Sequence, residues 1–496
     1  YSFKLAEEPP FRAQLFVLGQ DKYVLLLLLH HMIGDGWSLT PLTRDLEAAY
    51  NARCQDAAPE WQPLPVQYAD YAFWQKSLLG SESDPDSLIA RQLTFWTKTL
   101  ESLPDQLELP TDFPRPAESS YQGDTIQLEL EQELHSRLLS LARSSGVSLF
   151  MILQSGLAAL LTRMGAGTDI PIGSPIAGRS ADSLGGLIGM FINTLVLRTD
   201  TSGDPSFREL LGRVRNVNLN AYEHQDLPFE RLVEVLNPAR SRARHPLFQI
   251  MLAFQNTPEP ALELPGLESN LEIRNVGAAK FDLTIELREQ RNPDGTPAGI
   301  AGFLEYSTDL FKRDTAEALA ARLLKLLESA AADPDQPIGR LEILLPEERQ
   351  MMLSEWNKAS LKVPEASLPV LFEKQAAEIP ETIAVIFEDD TLTYSELNKR
   401  ANRLARLLIA KGLGPEQFAA LALPRSLDMV VGLLAVLKAG AAYVPLDPDY
   451  PADRIAFMLK DARPACVITN SEVDSRISDA GAVPRIVLDD SRIKAE

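Results

Sequence analysis

Apolar residues near the N-terminus follow the pattern of two β-strands. Residues 12–29 hold two apolar segments around a Gly-Gln-Asp turn signal at 19–21, which predicts a β-hairpin. The second segment, YVLLLLL, is continuously apolar, which is typical of a strand buried on both faces. It ends at His30 and His31, and a helix is predicted from Ser38, whose side chain can cap it. Helical spacing turns four apolar side chains of this helix to one side: Leu39, Leu42, Leu46 and Ala49.

Helical and strand patterns alternate through the rest of the chain. Helical spacing and stop signals predict helices at 68–75, 131–145, from Ser148, at 205–222 and at 314–332. Strands are predicted at 170–172, 193–198 and 247–254, with a hairpin that pairs 281–287 with 300–307. The Pro-rich residues 104–122 are interpreted as an ordered linker between two lobes. After about residue 368 strands and helices alternate regularly, which predicts a parallel sheet.

Composition narrows the class of protein. The chain has 496 residues, too many for one hydrophobic core, so several domains are expected. Its net charge of −21 argues against nucleic acid or an anionic membrane as a partner. The longest apolar run, Val24 to Leu29, is too short to span a bilayer. Cys54 and Cys466 form neither a metal-ligand spacing nor a disulfide framework, so we expect a cytoplasmic protein without a metal site.

The segment HHMIGDGWS, residues 30–38, carries the most chemical content. Adjacent side chains at a strand end point in opposite directions, so one imidazole can face a cleft while the other packs internally. Asp35 followed by Gly36 predicts a tight turn that a carboxylate can brace, and Gly36 leaves room for a substrate. Such a loop suits an imidazole that transfers protons. The residues alone also fit a purely structural His pair, whereas a metal site is disfavoured because the chain has five histidines and none at ligand spacing.

The segment resembles the HHxxxDG motif of nonribosomal peptide synthetase condensation domains. Further segments resemble that family's motifs in the family's order: YADYAFWQ (68–75), IPIGSPIAGR (170–179), IGMFINTLVLR (188–198), HQDLPFERLVEVLNPAR (224–240) and RSRARHPLFQIMLAFQN (240–256). Residues 392–408 and 437–455 resemble the first two motifs of adenylation domains. Several ordered matches of this kind make the resemblance specific.

The resemblance implies an α/β fold and a division of the chain. Residues 1–338 would form a two-lobed condensation domain similar to chloramphenicol acetyltransferase, with an incomplete first lobe at about 1–110 and a second lobe at about 111–338. Residues 339–367 would be a linker, and 368–496 the start of an α/β adenylate-forming domain, also incomplete. Only 29 residues precede His30, fewer than in the family, so we expect the first lobe's sheet to lack strands.

The resemblance also implies a reaction and its partners. His31 would be the catalytic residue of amide bond formation between a donor acyl thioester and an acceptor aminoacyl thioester. Both are carried on phosphopantetheine by upstream and downstream peptidyl carrier domains, with the adenylation domain as an intramolecular partner. No cofactor is expected on this chain itself, and ATP with Mg²⁺ would belong only to a complete adenylation domain.

Supporting roles are implied for five further residues. His30, Asp35 and Gly36 would support the catalytic loop, with Asp35 structural and paired with an arginine that the sequence does not place. The candidates for the tunnel, or for a bridge between the lobes, are Ser174 and Asn193.

Alternative functions remain open at this stage. Epimerisation domains keep HHxxxDG, and a coenzyme A-dependent acyltransferase shares the fold, but the adenylation motifs downstream of residue 368 count against both. A third alternative is a non-catalytic scaffold that only binds carrier domains. We expect little condensation activity from this chain alone.

Overall fold

Two compact units make up the chain. The computed structural model describes residues 1–179, 181–255, 262–270, 272, 277–358, 363–477, 483–491 and 493. The first unit spans Tyr1–Lys358 and the second spans Ala359–Glu496. The His pair therefore belongs to the first unit, together with all the segments that resemble condensation motifs.

The first unit begins with the predicted hairpin. Strands β1 (Phe11–Val17) and β2 (Tyr23–Leu29) pair in antiparallel register. Both strands are confirmed, but the predicted burial of β2 on both faces is wrong, because residues 23–26 are exposed. The physical reason is that β1 and β2 form a sheet of two strands only, so no described strand covers their apolar side chains. Three helices follow: α1 (Leu39–Cys54), α2 (Tyr68–Leu79) and α3 (Leu88–Thr99).

A six-stranded mixed sheet forms the centre of the second lobe. Its strands lie in the order β3-β8-β7-β6-β4-β5. The central pairs β7–β6 and β6–β4 are parallel and the outer pairs are antiparallel. The sheet includes the predicted β7–β8 hairpin. The six strands are β3 (Gly123–Leu130), β4 (Asp169–Ile176), β5 (Asn193–Asp200), β6 (Ile250–Gln255), β7 (Leu283–Arg291) and β8 (Pro297–Ser307).

Helices bury the first face of this sheet in the largest hydrophobic core of the protein. Gly146 ends the first of them in the left-handed conformation, at φ 64°, and Ser148 caps the next by accepting the N–H of Met151. Both signals agree with the sequence-based prediction. The helices on this face are α4 (Gln132–Ser145), α5 (Leu149–Arg163), α6 (Phe207–Glu223) and α8 (Arg313–Ala332).

The second face of the sheet is covered by α3 and by α7 (Phe229–Leu236). Trp96 of α3 is buried there, and its indole N–H donates to the carbonyl of His224 at 2.8 Å. Neither helix was predicted from the sequence. Helix α3 precedes residue 110, where the sequence suggests the boundary between the lobes, yet its buried face contacts the second lobe's sheet. The last α-helix described in the first unit is α9 (Pro346–Gln350), and a π-helical turn, Met351–Glu355, follows it.

The second unit has the parallel sheet that the sequence predicts. Its strands lie in the order β12-β11-β13-β14, and all three pairs are parallel. Within residues 392–408, which resemble the first adenylation motif, Leu397, Ala401, Leu404 and Leu408 are buried on one helix. The strands are β9 (Ile383–Phe387), β10 (Asp390–Thr393), β11 (Phe418–Leu421), β12 (Ala442–Pro445), β13 (Cys466–Thr469) and β14 (Arg485–Val487). The helices are α10 (Leu368–Glu378), α11 (Tyr394–Ala410), α12 (Leu427–Lys438), α13 (Ala452–Ala462) and α14 (Ser471–Arg476).

The sequence also predicts that no segment spans a bilayer and that the two cysteines form no disulfide framework. Within the described part of the chain, no single helix is both long and apolar enough to cross a bilayer, although α4 and α5 together reach that length across a bend of 101°. Both cysteines are free thiols. Cys466 is buried in β13, and this burial raises its pKa to about 11, so its thiol stays protonated.

An aromatic cluster on the second face of the sheet encloses His245. Its ring lies 4.7 Å from that of Phe281, 4.8 Å from Phe248 and 5.7 Å from Phe229. The Nδ1–H donates to the carbonyl of Pro246 at 2.9 Å. Burial, and secondarily the charge of Lys280, lowers the pKa of His245 to about 4. The imidazole is therefore neutral in the folded protein at neutral pH.

We expect His245 to make the first unit less stable as the pH falls. Between about pH 6.5 and pH 4 the unfolded chain binds a proton at this residue that the folded chain does not bind. The free energy of unfolding therefore decreases as the pH falls. The unfolding free energy of wild type minus that of His245→Asn, which cannot titrate, should decrease by up to about 3 kcal/mol as the pH falls through this range. Urea unfolding followed by tryptophan fluorescence measures it, because all five tryptophans lie in the first unit. Parallel pH curves for the two proteins would contradict the prediction.

Candidate active site

The two histidines lie in a short turn after the first hairpin. Strand β2 ends at Leu29, and residues His31–Ile33 form a 3₁₀ turn that His30 caps. The Nδ1 atom of His30 accepts the N–H of Met32 at 3.2 Å. Both histidines therefore lie after the strand has ended, so the strand alternation that the sequence suggested does not apply to them.

His31 is the exposed member of the pair. Among the residues that the structure describes, no group hydrogen-bonds its imidazole. Both ring nitrogens are therefore available to a substrate. Gly36 is also exposed, and a Cβ at this position would meet no atom within 4 Å. The protein itself therefore makes no steric demand for glycine at residue 36.

Asp35 is buried in this loop, and both oxygens of its carboxylate accept hydrogen bonds. One oxygen accepts the N–H of Ser38 at 3.0 Å, and the other accepts the N–H of Phe191 at 3.0 Å. The guanidinium of Arg179 donates to the first oxygen at 3.0 Å, and the two side chains are only 0% and 5% exposed. Arg179 is thus the arginine that the sequence implied without placing it. It lies 144 residues away, at the end of the segment IPIGSPIAGR.

Arg179 is held by more than its ion pair. Its second terminal nitrogen, Nη1, donates to the carbonyls of Leu184 at 2.6 Å and Leu187 at 3.0 Å. The guanidinium also lies 4.1 Å from the ring centre of Phe191, which is a cation–π distance. The buried positive charge therefore has acceptors on several sides, as a charge removed from water requires.

The backbone of residues 189–191 is bound by three side chains of the first lobe. The Oγ of Ser38 contacts Gly189, the hydroxyl of Tyr68 donates to the carbonyl of Met190 at 2.7 Å, and Asp35 accepts from residue 191. A Cβ at residue 189 would lie 2.4 Å from the ring of Tyr68, so only glycine fits there. Burial, and secondarily the charge of Asp35, raises the pKa of Tyr68, which remains a neutral donor.

Asn193 and Ser174 lie in the second lobe's sheet. The amide of Asn193 donates to the carbonyls of Gln225 at 2.8 Å and Leu227 at 2.7 Å, and its oxygen accepts the N–H of Phe229 at 3.0 Å. These hydrogen bonds join Asn193 to the 225–229 segment of the second lobe, and within the described residues none runs from its side chain to the first lobe. Ser174 faces Leu195 across the β4–β5 pair and is 5% exposed, so it presents little surface to a tunnel.

Two residues of α3 that sequence reasoning missed hold the same loop as Asn193. The side chain of Gln92 is buried, donates to Asp226 at 2.9 Å and accepts the N–H of Leu227 at 2.6 Å. The ring of Phe95 stacks on His224 at 3.8 Å. The segment HQDLPFE is thus fixed from both sides. A buried glutamine in an amphipathic helix is the only local signal for this role.

The described residues contain no group of three or more His, Cys, Asp or Glu side chains arranged to hold a metal ion.

Comparison with known proteins assigns this site to a family. The family model described as "Condensation domain" matches residues 1–353, and the one described as "AMP-binding enzyme" matches residues 372–495. The chain belongs to the condensation domain family. It continues into the start of an AMP-binding domain, and both parts of the resemblance drawn from the motifs are confirmed.

The relatives of this chain include nonribosomal peptide synthetases. It is 69% identical to a dimodular nonribosomal peptide synthase of Bacillus subtilis, over 99% of this chain and 21% of the relative. It is 50% identical to a probable non-canonical nonribosomal peptide synthetase of Salinispora arenicola, over 95% of this chain and 6% of the relative. The chain thus spans only a minor part of the length of these proteins.

Solved structures support the predicted two-part α/β fold. The X-domain from teicoplanin biosynthesis is 40% identical with a TM-score of 0.66, over 69% of this chain and 76% of that one. A four-domain nonribosomal peptide synthetase bound to AMP and glycine is 26% identical with a TM-score of 0.64, over 99% of this chain and 37% of that one.

We expect removal of one partner of the buried Asp35–Arg179 pair to destabilise the first unit strongly. Arg179→Met leaves the Asp35 carboxylate buried without its cation, which should cost about 3–5 kcal/mol of unfolding free energy. The double variant Asp35→Asn with Arg179→Met should lose less unfolding free energy than the two single variants lose together, because it no longer buries an unpaired charge.

Urea unfolding followed by tryptophan fluorescence provides the measurement. Arg44→Met is the control, because it breaks the exposed pair with Asp45 and should cost under about 1 kcal/mol. Equal losses in Arg179→Met and Arg44→Met would show that the buried pair is unimportant.

Proposed function

We propose that this condensation domain joins a donor acyl thioester to an acceptor aminoacyl thioester, each carried on the phosphopantetheine of a carrier domain. The acceptor amine would contact His31. The observation that carries the proposal is the exposed imidazole of His31 on a loop whose neighbouring polar side chains are engaged inside the protein. Nonribosomal peptide synthetase relatives across the whole chain support it. They do not favour epimerisation, coenzyme A-dependent acyl transfer or a non-catalytic scaffold.

The reaction forms one C–N bond and breaks one C–S bond. The acceptor nitrogen adds to the donor carbonyl carbon, the thiolate leaves, and the proton lost by nitrogen ends on sulfur as a free thiol. An α-amine has a pKa of about 8, so a substantial fraction is already neutral at cellular pH. Holding the amine beside the carbonyl can therefore supply much of the acceleration.

His31 has to be neutral for this contact. A neutral imidazole can accept a hydrogen bond from the amine N–H, and it can then take the proton that the nitrogen releases as the C–N bond forms. A protonated imidazole has only donors and could do neither.

We expect His31→Ala to lower dipeptide formation by roughly 100-fold or more in the complete synthetase module with loaded carrier domains. The fold should be unaffected, because no described group bonds to this ring. His31→Gln keeps a hydrogen-bond acceptor but cannot take a proton. Partial activity of this variant would assign His31 to positioning the amine, whereas an inactive variant would assign it to proton transfer. Mass spectrometry of the released dipeptide measures the rate. An unchanged rate in His31→Ala would refute the assignment.

Gly36 provides an independent test of where the substrate passes. We expect Gly36→Ala to leave the stability within about 0.5 kcal/mol of wild type, since its methyl group meets no protein atom. It should slow condensation by roughly 10-fold if the thioesters approach this backbone, because the methyl group fills that space.

Gly212→Ala is the matched control for this variant. Its added methyl group also meets no atom within 4 Å, but residue 212 lies on α6, outside the His31 loop. It should retain full activity. A Gly36→Ala variant as active as Gly212→Ala would mean that the substrates do not contact residue 36.

A further inference from the structure

Ser38 has more hydrogen-bonding neighbours than one hydroxyl can serve. Its Oγ lies 2.9 Å from the carboxylate of Asp35 and 3.0 Å from the carbonyl of Gly189, and both of these groups need a donor. Three N–H groups also point at it, from Asp35 at 3.2 Å, Gly189 at 3.1 Å and Arg179 at 3.2 Å. A hydroxyl has one proton and two lone pairs, so it cannot satisfy all five of these groups at once. Two of the groups belong to Asp35 in the first lobe, and three belong to Gly189 and Arg179 in the second lobe.

The side chain of Ser38 does not cap the helix that follows it. It immediately precedes α1, and the sequence predicts that its side chain caps that helix. In the structure α1 begins without a side-chain cap at Ser38, so that prediction is wrong. Serine at this position ordinarily stabilises a helix by bonding its first N–H groups. Here the hydroxyl is 1% exposed and is committed to the contact between the lobes.

A short path joins Ser38 to His31. The N–H and Oγ of Ser38 both bond Asp35, which closes the 3₁₀ turn Gly36–Ser38. Gly34 lies directly against Ser38, since a Cβ on Gly34 would be 3.4 Å from the Cβ of Ser38. The N–H of Gly34 in turn donates to the carbonyl of His31 at 3.4 Å. A displacement of Ser38 therefore reaches the His31 backbone through one residue.

We propose that Ser38 is a positioning residue of the condensation reaction. Its hydroxyl attaches the His31 loop of the first lobe to Gly189 of the second lobe, and so sets where the imidazole stands relative to that lobe. Ser38 is too buried to touch a substrate and acts through His31. This inference rests on the proposed function of His31.

Tyr68 supplies a matched comparison. Its hydroxyl also bonds the backbone of the 189–191 segment, at Met190, but Tyr68 belongs to α2 and not to the His31 loop. Tyr68→Phe removes one hydroxyl and keeps the ring that packs on Phe191. Ser38→Ala likewise removes one hydroxyl. We expect Ser38→Ala to lower kcat by about 30-fold with KM for the loaded carriers within about 3-fold, and Tyr68→Phe to change kcat by less than about 3-fold.

A double-variant cycle with His31 decides the route. The three variants Ser38→Ala, His31→Ala and the double variant are assayed in the complete module, at a temperature where tryptophan fluorescence shows each to be folded. If Ser38 acts through His31, adding Ser38→Ala to His31→Ala should change the remaining rate by less than about 2-fold.

The outcomes separate this inference from the proposed function. An equal Ser38→Ala effect with and without His31 would overturn the positioning role, as would equal losses of kcat in Ser38→Ala and Tyr68→Phe. Failure of the proposed function would instead appear as a His31→Ala variant of wild-type activity.

Discussion

The buried carboxylate of Asp35 is the constraint on which the candidate site depends. A charge taken out of water costs several kcal/mol unless paired and hydrogen-bonded, so the chain must bring partners to it. Two donors, the N–H and the hydroxyl of Ser38, lie three residues away, while Arg179 and the N–H of Phe191 come from the second lobe. Folding the His31 loop and joining the two lobes are therefore one event. Without the second lobe, the Asp35 carboxylate would lack Arg179 and the N–H of Phe191, and burying it would cost free energy. A neutral side chain at residue 35 would not impose this requirement.

The two sheets of the first unit differ in how completely they are covered. The six-stranded sheet has helices on both faces, and burial of its apolar side chains supplies a rigid base for β5 and the segment before it. The β1–β2 hairpin, which leads into the His pair, has most of its apolar side chains exposed. The hairpin is tied to the His pair by the hydrogen bond from the N–H of His30 to the carbonyl of Pro10 at 2.9 Å. His31 is held from the opposite side, through Asp35 and Ser38, by the well-packed lobe.

Sequence reasoning reached the elements whose signals are local. The β1–β2 hairpin, the end of a helix at residue 145, the start of the next near Ser148 and the parallel strands after residue 368 are predicted because each depends on a few neighbouring residues. The burial of β2 was predicted wrongly, because burial depends on which other strands are present and not on the apolar run itself. Arg179 could not be identified as the partner of Asp35, since a separation of 144 residues leaves no pattern in the chain. The burial of Gln92 in helix α3 could not be predicted, because a glutamine in an amphipathic helix ordinarily faces solvent and its partner Leu227 is 135 residues away.

The contrast between His31 and its neighbours explains why the site can be both rigid and reactive. A side chain that makes internal hydrogen bonds gains order but loses the capacity to bind a substrate, because each donor or acceptor serves one partner well. In this loop the order is provided by Asp35 and Ser38, which are buried and saturated, and by His30, which accepts a backbone N–H. His31 can therefore be fixed through its backbone while its imidazole keeps both nitrogens available. The backbone of the loop, and not the imidazole itself, is what the rest of the protein has to hold in place.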